Sequence, residues 1–135
     1  MRRVITFGVF DFLHPGHLWL LQEARALGNY LTVIVARDEV VKALKGKAPS
    51  QQENVRLEAV QAVPQVDQVL LGDVNPESYK ILEELPFDVL AVGYDQPPTD
   101  KEMHKILLQV GKESADIVRI QPFQEDVYKT SLLRS

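Results

Sequence analysis

At 135 residues the chain has the length of one domain able to bury a core of its own. A net charge of −4 argues against a general nucleic-acid binder, and the absence of cysteine excludes disulfides and thiolate metal sites. No apolar run nears the length of a bilayer, and strand-like sequence begins at Arg2, so neither a membrane span nor a signal peptide is expected and the protein is expected in the cytoplasm.

The first element, Arg2 to Phe7 (RRVITF), is rich in β-branched and aromatic residues and reads as a buried strand. The stretch GVFDFLHPGH follows, and then LWLLQEARALG, whose apolar residues recur at helical spacing up to Gly28. Pro15 suits the first helical position, where its missing N–H costs nothing. YLTVIVA (30–36) is nearly continuous in apolar residues, as a strand buried on both faces should be. RDEVVKALKGK (37–47) predicts a short helix breaking at Gly46. Ser50 and Glu53 have capping-box spacing before VRLEAVQAV, predicting a helix over 51–63. VDQVLL (66–71) predicts a third strand. Asn75-Pro76 predicts a cap and first-turn proline for a helix to about Glu84. FDVLAV (87–92) is a fourth strand ending at Gly93. Thr99 and Glu102 repeat the capping-box spacing before MHKILLQVGK, DIVRI (116–120) is a fifth strand, and 128–134 can begin a last helix.

Strands alternating with helices predict an α/β fold: one doubly wound, Rossmann-like domain over 1–135 with a five-stranded parallel sheet. In such sheets ligands lie beyond the carboxyl ends of the strands, where the strand order reverses. The loop after strand one, Gly93-Tyr94-Asp95-Gln96 after strand four, and the C-terminal stretch after strand five all reach that edge.

His14 and His17 flank the expected helix start, where imidazole N–H groups and the helix dipole together favour phosphate. Gly8 and Gly16 would let a ligand approach the backbone. An isolated His-x-x-His is more often an ordinary helix start, and no carboxylate cluster accompanies this one to make a metal site. The coincidence with Gly8, Asp11, Pro15 and Gly16 in a strand–loop–helix context favours phosphoryl or nucleotidyl transfer, which needs donors aimed at charge growing on phosphate. Asp11 reads as a loop cap, His104 as exposed, and Trp19, Leu20 and Phe123 as packing groups. Lys42, Lys45, Lys47 and Arg56 form a local basic cluster that could neutralise a second anion.

GVFDFLHPGH resembles the HxGH signature of the nucleotidyltransferase superfamily, which includes small cytidylyl- and adenylyltransferases. VARDEVVKALKGKAP, the Arg56 helix, VDQVLLGD and GYDQ extend the likeness to archaeal-type FAD synthases over nearly the whole chain. The resemblance implies transfer of a nucleotide monophosphate to a phosphorylated acceptor with release of pyrophosphate, ATP and FMN giving FAD. It implies that His14 and His17 are catalytic, and that Gly8, Val9, Phe10, Pro15, Gly16, Gly93, Asp95, Thr130 and Ser131 join them around the nucleotide. It places Lys45 and Arg56 on the acceptor side and brings Mg2+ in with the triphosphate.

Two other readings stay open: a cytidylyltransferase using CTP and a small polyol phosphate, and a nucleotide-binding module without turnover. Val9 stands where the family has Thr or Ser, which removes a hydroxyl near the phosphates. The Arg-Thr-x-Gly-Ile-Ser run of glycerol-3-phosphate cytidylyltransferases is absent. No nucleic-acid or membrane partner is expected, and a homodimer, common among look-alikes, is not fixed by the sequence.

Overall fold

The structure, a computed structural model, describes residues 2–75, 79–94 and 99–121. Its elements in chain order are β1 (Arg3–Gly8), α1 (Pro15–Ala26), β2 (Tyr30–Val35), α2 (Asp38–Lys45), α3 (Glu53–Gln61), β3 (Gln68–Leu71), α4 (Lys80–Glu84), β4 (Val89–Gly93), α5 (Asp100–Gln109) and β5 (Asp116–Ile120). The strands form one five-stranded sheet in the order β3-β2-β1-β4-β5, and every pairing is parallel. The expected doubly wound α/β architecture is therefore present.

A parallel sheet needs apolar cover on both faces, and the alternation of side chains supplies two cores. Val4, Leu31, Val33, Val35, Val89 and Ala91 point to one side, where Leu21 and Ala24 of α1 and Val60 of α3 complete the cluster. Ile5, Ile34, Leu90 and Val92 point to the other and meet Leu82 of α4 with Met103 and Leu107 of α5. Thr6, fully buried in the central strand, donates its hydroxyl to the Ala91 carbonyl at 2.9 Å, so the polar atom crosses to β4 without an orphaned donor.

Helix ends follow local chemistry in most places. α2 stops at Gly46, which takes the left-handed conformation (φ 72°), and α5 starts with the Thr99–Glu102 capping box. Two expectations are corrected. Ser50 does not cap α3: that helix begins at Glu53 after Gln52, and the Ser50 N–H is spent on Asp11. α4 begins at Lys80, after Tyr79, rather than at the Asn75-Pro76 pair. Residues 76–78 and the expected helix at 128–134 lie outside the described residues.

The turn into β2 is pressed against the start of β1. Arg2 and Asn29 exchange hydrogen bonds of 2.8 and 3.0 Å, and a Cβ on Gly28 would lie 2.4 Å from the Arg2 carbonyl oxygen. Glycine-to-alanine replacement ordinarily stabilises by restricting the unfolded chain. Here a backbone clash opposes it, and Gly28→Ala is expected to lose about 1–3 kcal/mol. Urea unfolding measures this; a midpoint at or above wild type would mean that the strand ends yield.

Candidate active site

The chain winds outward from β1 through β2 to β3, then returns to lay β4 and β5 on the opposite side. β1 and β4 are thus neighbours with diverging connections, and the crevice beyond their carboxyl ends is the expected ligand position. Gly8, Val9, Phe10 and the residues up to His17 leave β1 at this edge, and Gly93 ends β4 there. Asp95, Phe123, Thr130 and Ser131 lie outside the described residues.

The loop leaving β1 holds two aromatic residues in left-handed backbone, Phe10 at φ 55° and Phe12 at φ 50°. Each such residue costs about 1–2 kcal/mol relative to ordinary backbone, because Cβ crowds the following carbonyl. Phe10 offsets its cost by burial: only 2% of it is exposed, in the core formed with Leu21 and Val35. Its ring lies over Gly8, where a Cβ would come within 3.0 Å of it, and meets the His17 ring edge-on with centroids 5.5 Å apart. Phe12 is 59% exposed, so its backbone must be held by other means.

His14 is the N-cap of α1, Pro15 its first residue and His17 its third. The Gly16 N–H donates to His14 Nδ1 at 3.1 Å, and the His14 N–H donates to His17 Nδ1 over a long 3.4 Å. A pair of imidazoles thus does what Ser and Glu do in an ordinary capping box. Because both Nδ1 atoms accept, each ring carries its proton on Nε2, leaving two N–H donors at a helix N-terminus. The rings stack at 3.8 Å with planes 25° apart. Gly16 is required by this fold-back, since a Cβ there would approach His14 Cε1 to 2.9 Å. Burial first, then the neighbouring His14, lowers the His17 pKa to about 4, against a smaller opposing pull from Asp11. His17 is a neutral donor at physiological pH.

Behind the loop sits Arg56, with none of its surface exposed. Its Nε donates to the Gln51 carbonyl at 3.0 Å, one terminal nitrogen donates to the carbonyls of Val9 and Ala36 at 2.8 Å each, and the other meets Asp38 at 2.6 Å. The resemblance puts Arg56 on the acceptor side; in the structure its guanidinium ties the ends of β1 and β2 to α2 and the α2–α3 connection. Lys45, by contrast, is exposed in the last turn of α2. Trp19 is half-buried and donates its indole N–H to the Gln121 carbonyl, and His104 is exposed, as expected for both.

Two polar residues of this framework, Asp38 and Gln51, were not singled out by sequence, and Glu53 was read only as a partner of Ser50. Asp38 and Glu53, each the first residue of its helix, cap one another: Asp38 N–H donates to Glu53 at 2.9 Å and Glu53 N–H to Asp38 at 3.1 Å. A helix that opens on an acidic residue without a Ser or Thr before it was the available signal. Gln51 accepts the Phe12 N–H at 2.8 Å through its side-chain oxygen. Asp11 is a loop tie, as its sequence context suggested, accepting from the amides of Ser50 and Gln51 at 2.8 and 2.9 Å. Although burial pushes its pKa upward, those two amides, with Arg56 and His17, hold it below the usual carboxylate value.

Among the described residues no group of three or more His, Asp or Glu converges on a metal position, and both histidine Nδ1 atoms are occupied. The described protein groups therefore do not form a cage for Mg2+. No helix among them is long and apolar enough to cross a membrane.

Two outcomes are expected. Arg56→Lys keeps the charge but removes the planar fork and leaves carbonyls without their donor, so it should lower stability by about 1–3 kcal/mol. Unchanged urea unfolding with a raised acceptor KM would instead restore Arg56 to a binding role. For His17, the unfolded chain takes up a proton near pH 6.5 and the folded protein only near 4. The stability conferred by neutral His17 is therefore fully present above pH 6.5 and lost as pH falls toward 4. Urea midpoints at pH 7.5 and 5 should fall further for wild type than for His17→Gln; equal falls would contradict the lowered pKa.

Comparison with known proteins agrees with this geometry. The family model for cytidylyltransferase-like proteins matches residues 5–135. An FAD synthase of Thermococcus sibiricus is 40% identical over 96% of this chain and 87% of its own length. One from Thermoplasma acidophilum is 37% identical over 99% of this chain and 92% of its own. A solved structure, described as a lipopolysaccharide core biosynthesis protein from Thermoplasma volcanium, superposes with a TM-score of 0.84 at 36% identity, covering 92% of this chain and 99% of that one. The chain is therefore a nucleotidyltransferase of the cytidylyltransferase-like family, together with the FAD synthases it matches over nearly all its length.

Proposed function

We propose that the protein transfers the adenylyl group of ATP to FMN, forming FAD and pyrophosphate. A phosphate oxygen of FMN attacks the α-phosphorus, a new P–O bond forms, and the bond from that phosphorus to the β-phosphate oxygen breaks. The observation that carries this reading is the pair of Nε2–H donors that His14 and His17 present at the N-terminus of α1, in the crevice between β1 and β4. Donors fixed before reaction stabilise the charge that gathers on the α-phosphate oxygens, and this is most of what such a transfer requires of a protein.

The chain's own groups divide the remaining work. The backbone of Gly8, Val9 and Phe10, with Pro15 and Gly16, forms the close approach to the phosphates, and Gly93 at the end of β4 borders the nucleotide with Asp95. Thr130 and Ser131 are assigned to the outgoing phosphates by their likeness to the family pattern. Exposed Lys45 supplies positive charge for the FMN phosphate. Tyr94 and Phe12, 61% and 59% exposed on the loops after β4 and β1, offer aromatic surface suited to a flavin ring. Magnesium would enter with ATP and offset the charge of its triphosphate, a role that needs no protein cage of its own. The FAD synthases among the relatives support the choice of ATP and FMN.

Purified protein incubated with Mg2+, ATP or CTP, and FMN or glycerol 3-phosphate, with products separated by chromatography, tests this directly. FAD is the expected product; CDP-glycerol without FAD would overturn the assignment. His17→Ala should lower kcat by roughly 10²–10³ while ATP binding weakens far less, as for loss of one oxyanion donor. Wild-type kcat in folded His17→Ala would remove the histidine from the chemistry.

A further inference from the structure

We infer that Gln51 is a positioning residue for nucleotidyl transfer: its side-chain oxygen, acting with the Asp11 carboxylate, latches the histidine loop onto the α2–α3 connection. The inference rests on the assignment of His14 and His17 as donors to the α-phosphate.

Phe12 is the weak point of the loop. Its left-handed backbone is disfavoured for a large side chain, and its exposed ring recovers little by packing. A hydrogen bond from its N–H to Gln51 Oε1 at 2.8 Å holds it. The adjoining Asp11 bonds in the opposite sense, accepting the amides of Ser50 and Gln51. The two segments thus exchange donors across a sequence separation of about forty residues, and Gln51 takes part through both its backbone and its side chain.

His14, two residues after Phe12, begins the cap that fixes both imidazoles. If Phe12 relaxes to ordinary backbone, the chain entering His14 is redirected and the Nε2–H donors lose their aim. An ångström of misplacement costs a transfer of this kind about 100-fold. The connection that Gln51 anchors also follows directly on Lys45, so the latch joins the acceptor side to the histidine side.

Gln51→Met keeps length and removes the acceptor, whereas Gln51→Glu retains it. In Gln51→Met, kcat for FAD formation should fall about 10- to 100-fold with ATP affinity within about 3-fold of wild type. The Phe12 amide should exchange faster with solvent, and the His17 ring resonances should shift. Gln51→Glu should restore all three. Wild-type kcat in Gln51→Met, or unchanged Phe12 exchange and His17 resonances, would overturn the latch. So would a Gln51→Glu protein that regains Phe12 protection but not kcat. Should the wild type form no FAD from ATP and FMN, the substrate assignment fails by itself, and the Phe12 and His17 signals still decide whether the latch exists.

Discussion

One buried guanidinium holds this end of the molecule together. Arg56 reaches from α3 into the junction where β1 and β2 give out, and satisfies the carbonyls of Val9 and Ala36 at the point where the sheet ladder no longer can. A buried cation needs acceptors because water does not reach it, and those carbonyls supply them. The Asp38 carboxylate neutralises the charge. A lysine could not serve four directions at once, since its donors radiate from a single atom rather than a planar fork.

From this anchor the order of the site propagates outward. Val9 is fixed, so Phe10 can turn into left-handed backbone and bury its ring beneath the His17 imidazole. Asp38 is fixed, so it can exchange caps with Glu53, and α2 and α3 start from a common point. Gln51 is fixed through its carbonyl, so its amide and side chain are in place to receive Asp11 and Phe12. The strain carried by the loop is local, and the bonds that balance it come from residues far away in the chain. Such over-determination is what a transfer reaction exploits, because donors that are already in place need no reorganisation when charge develops.

The histidine pair builds an ordinary structural device from side chains with a second nitrogen to offer. A capping box normally ends with side chains that are finished once they have satisfied the helix amides. Imidazole has a second nitrogen, and committing Nδ1 to the cap fixes both the tautomer and the direction of the other N–H. Partial burial and the close stacking of the two rings then disfavour a proton on His17, which keeps it a neutral donor. Gly16 completes the arrangement by leaving room for the His14 ring to fold back.

Much of this was legible in the sequence because it depends on neighbours in the chain. Apolar periodicity placed the five strands, Gly46 ended α2, Thr99 with Glu102 opened α5, and the spacing from Gly8 to His17 marked the loop between β1 and α1. What depends on distant partners was not legible. Arg56 read as a cation for the acceptor because charge is the visible property of an arginine, while its burial among the carbonyls of two strand ends is not visible in the sequence. Ser50 and Glu53 had the spacing of a cap, but their partners proved to be Asp11 and Asp38, on other segments. The strand order, which brings the loop after β1 beside the end of β4, and the Gln51 bond that holds Phe12 likewise arise only on folding. Local patterns report what a residue can do with its neighbours, and the tertiary structure alone decides which distant groups it meets.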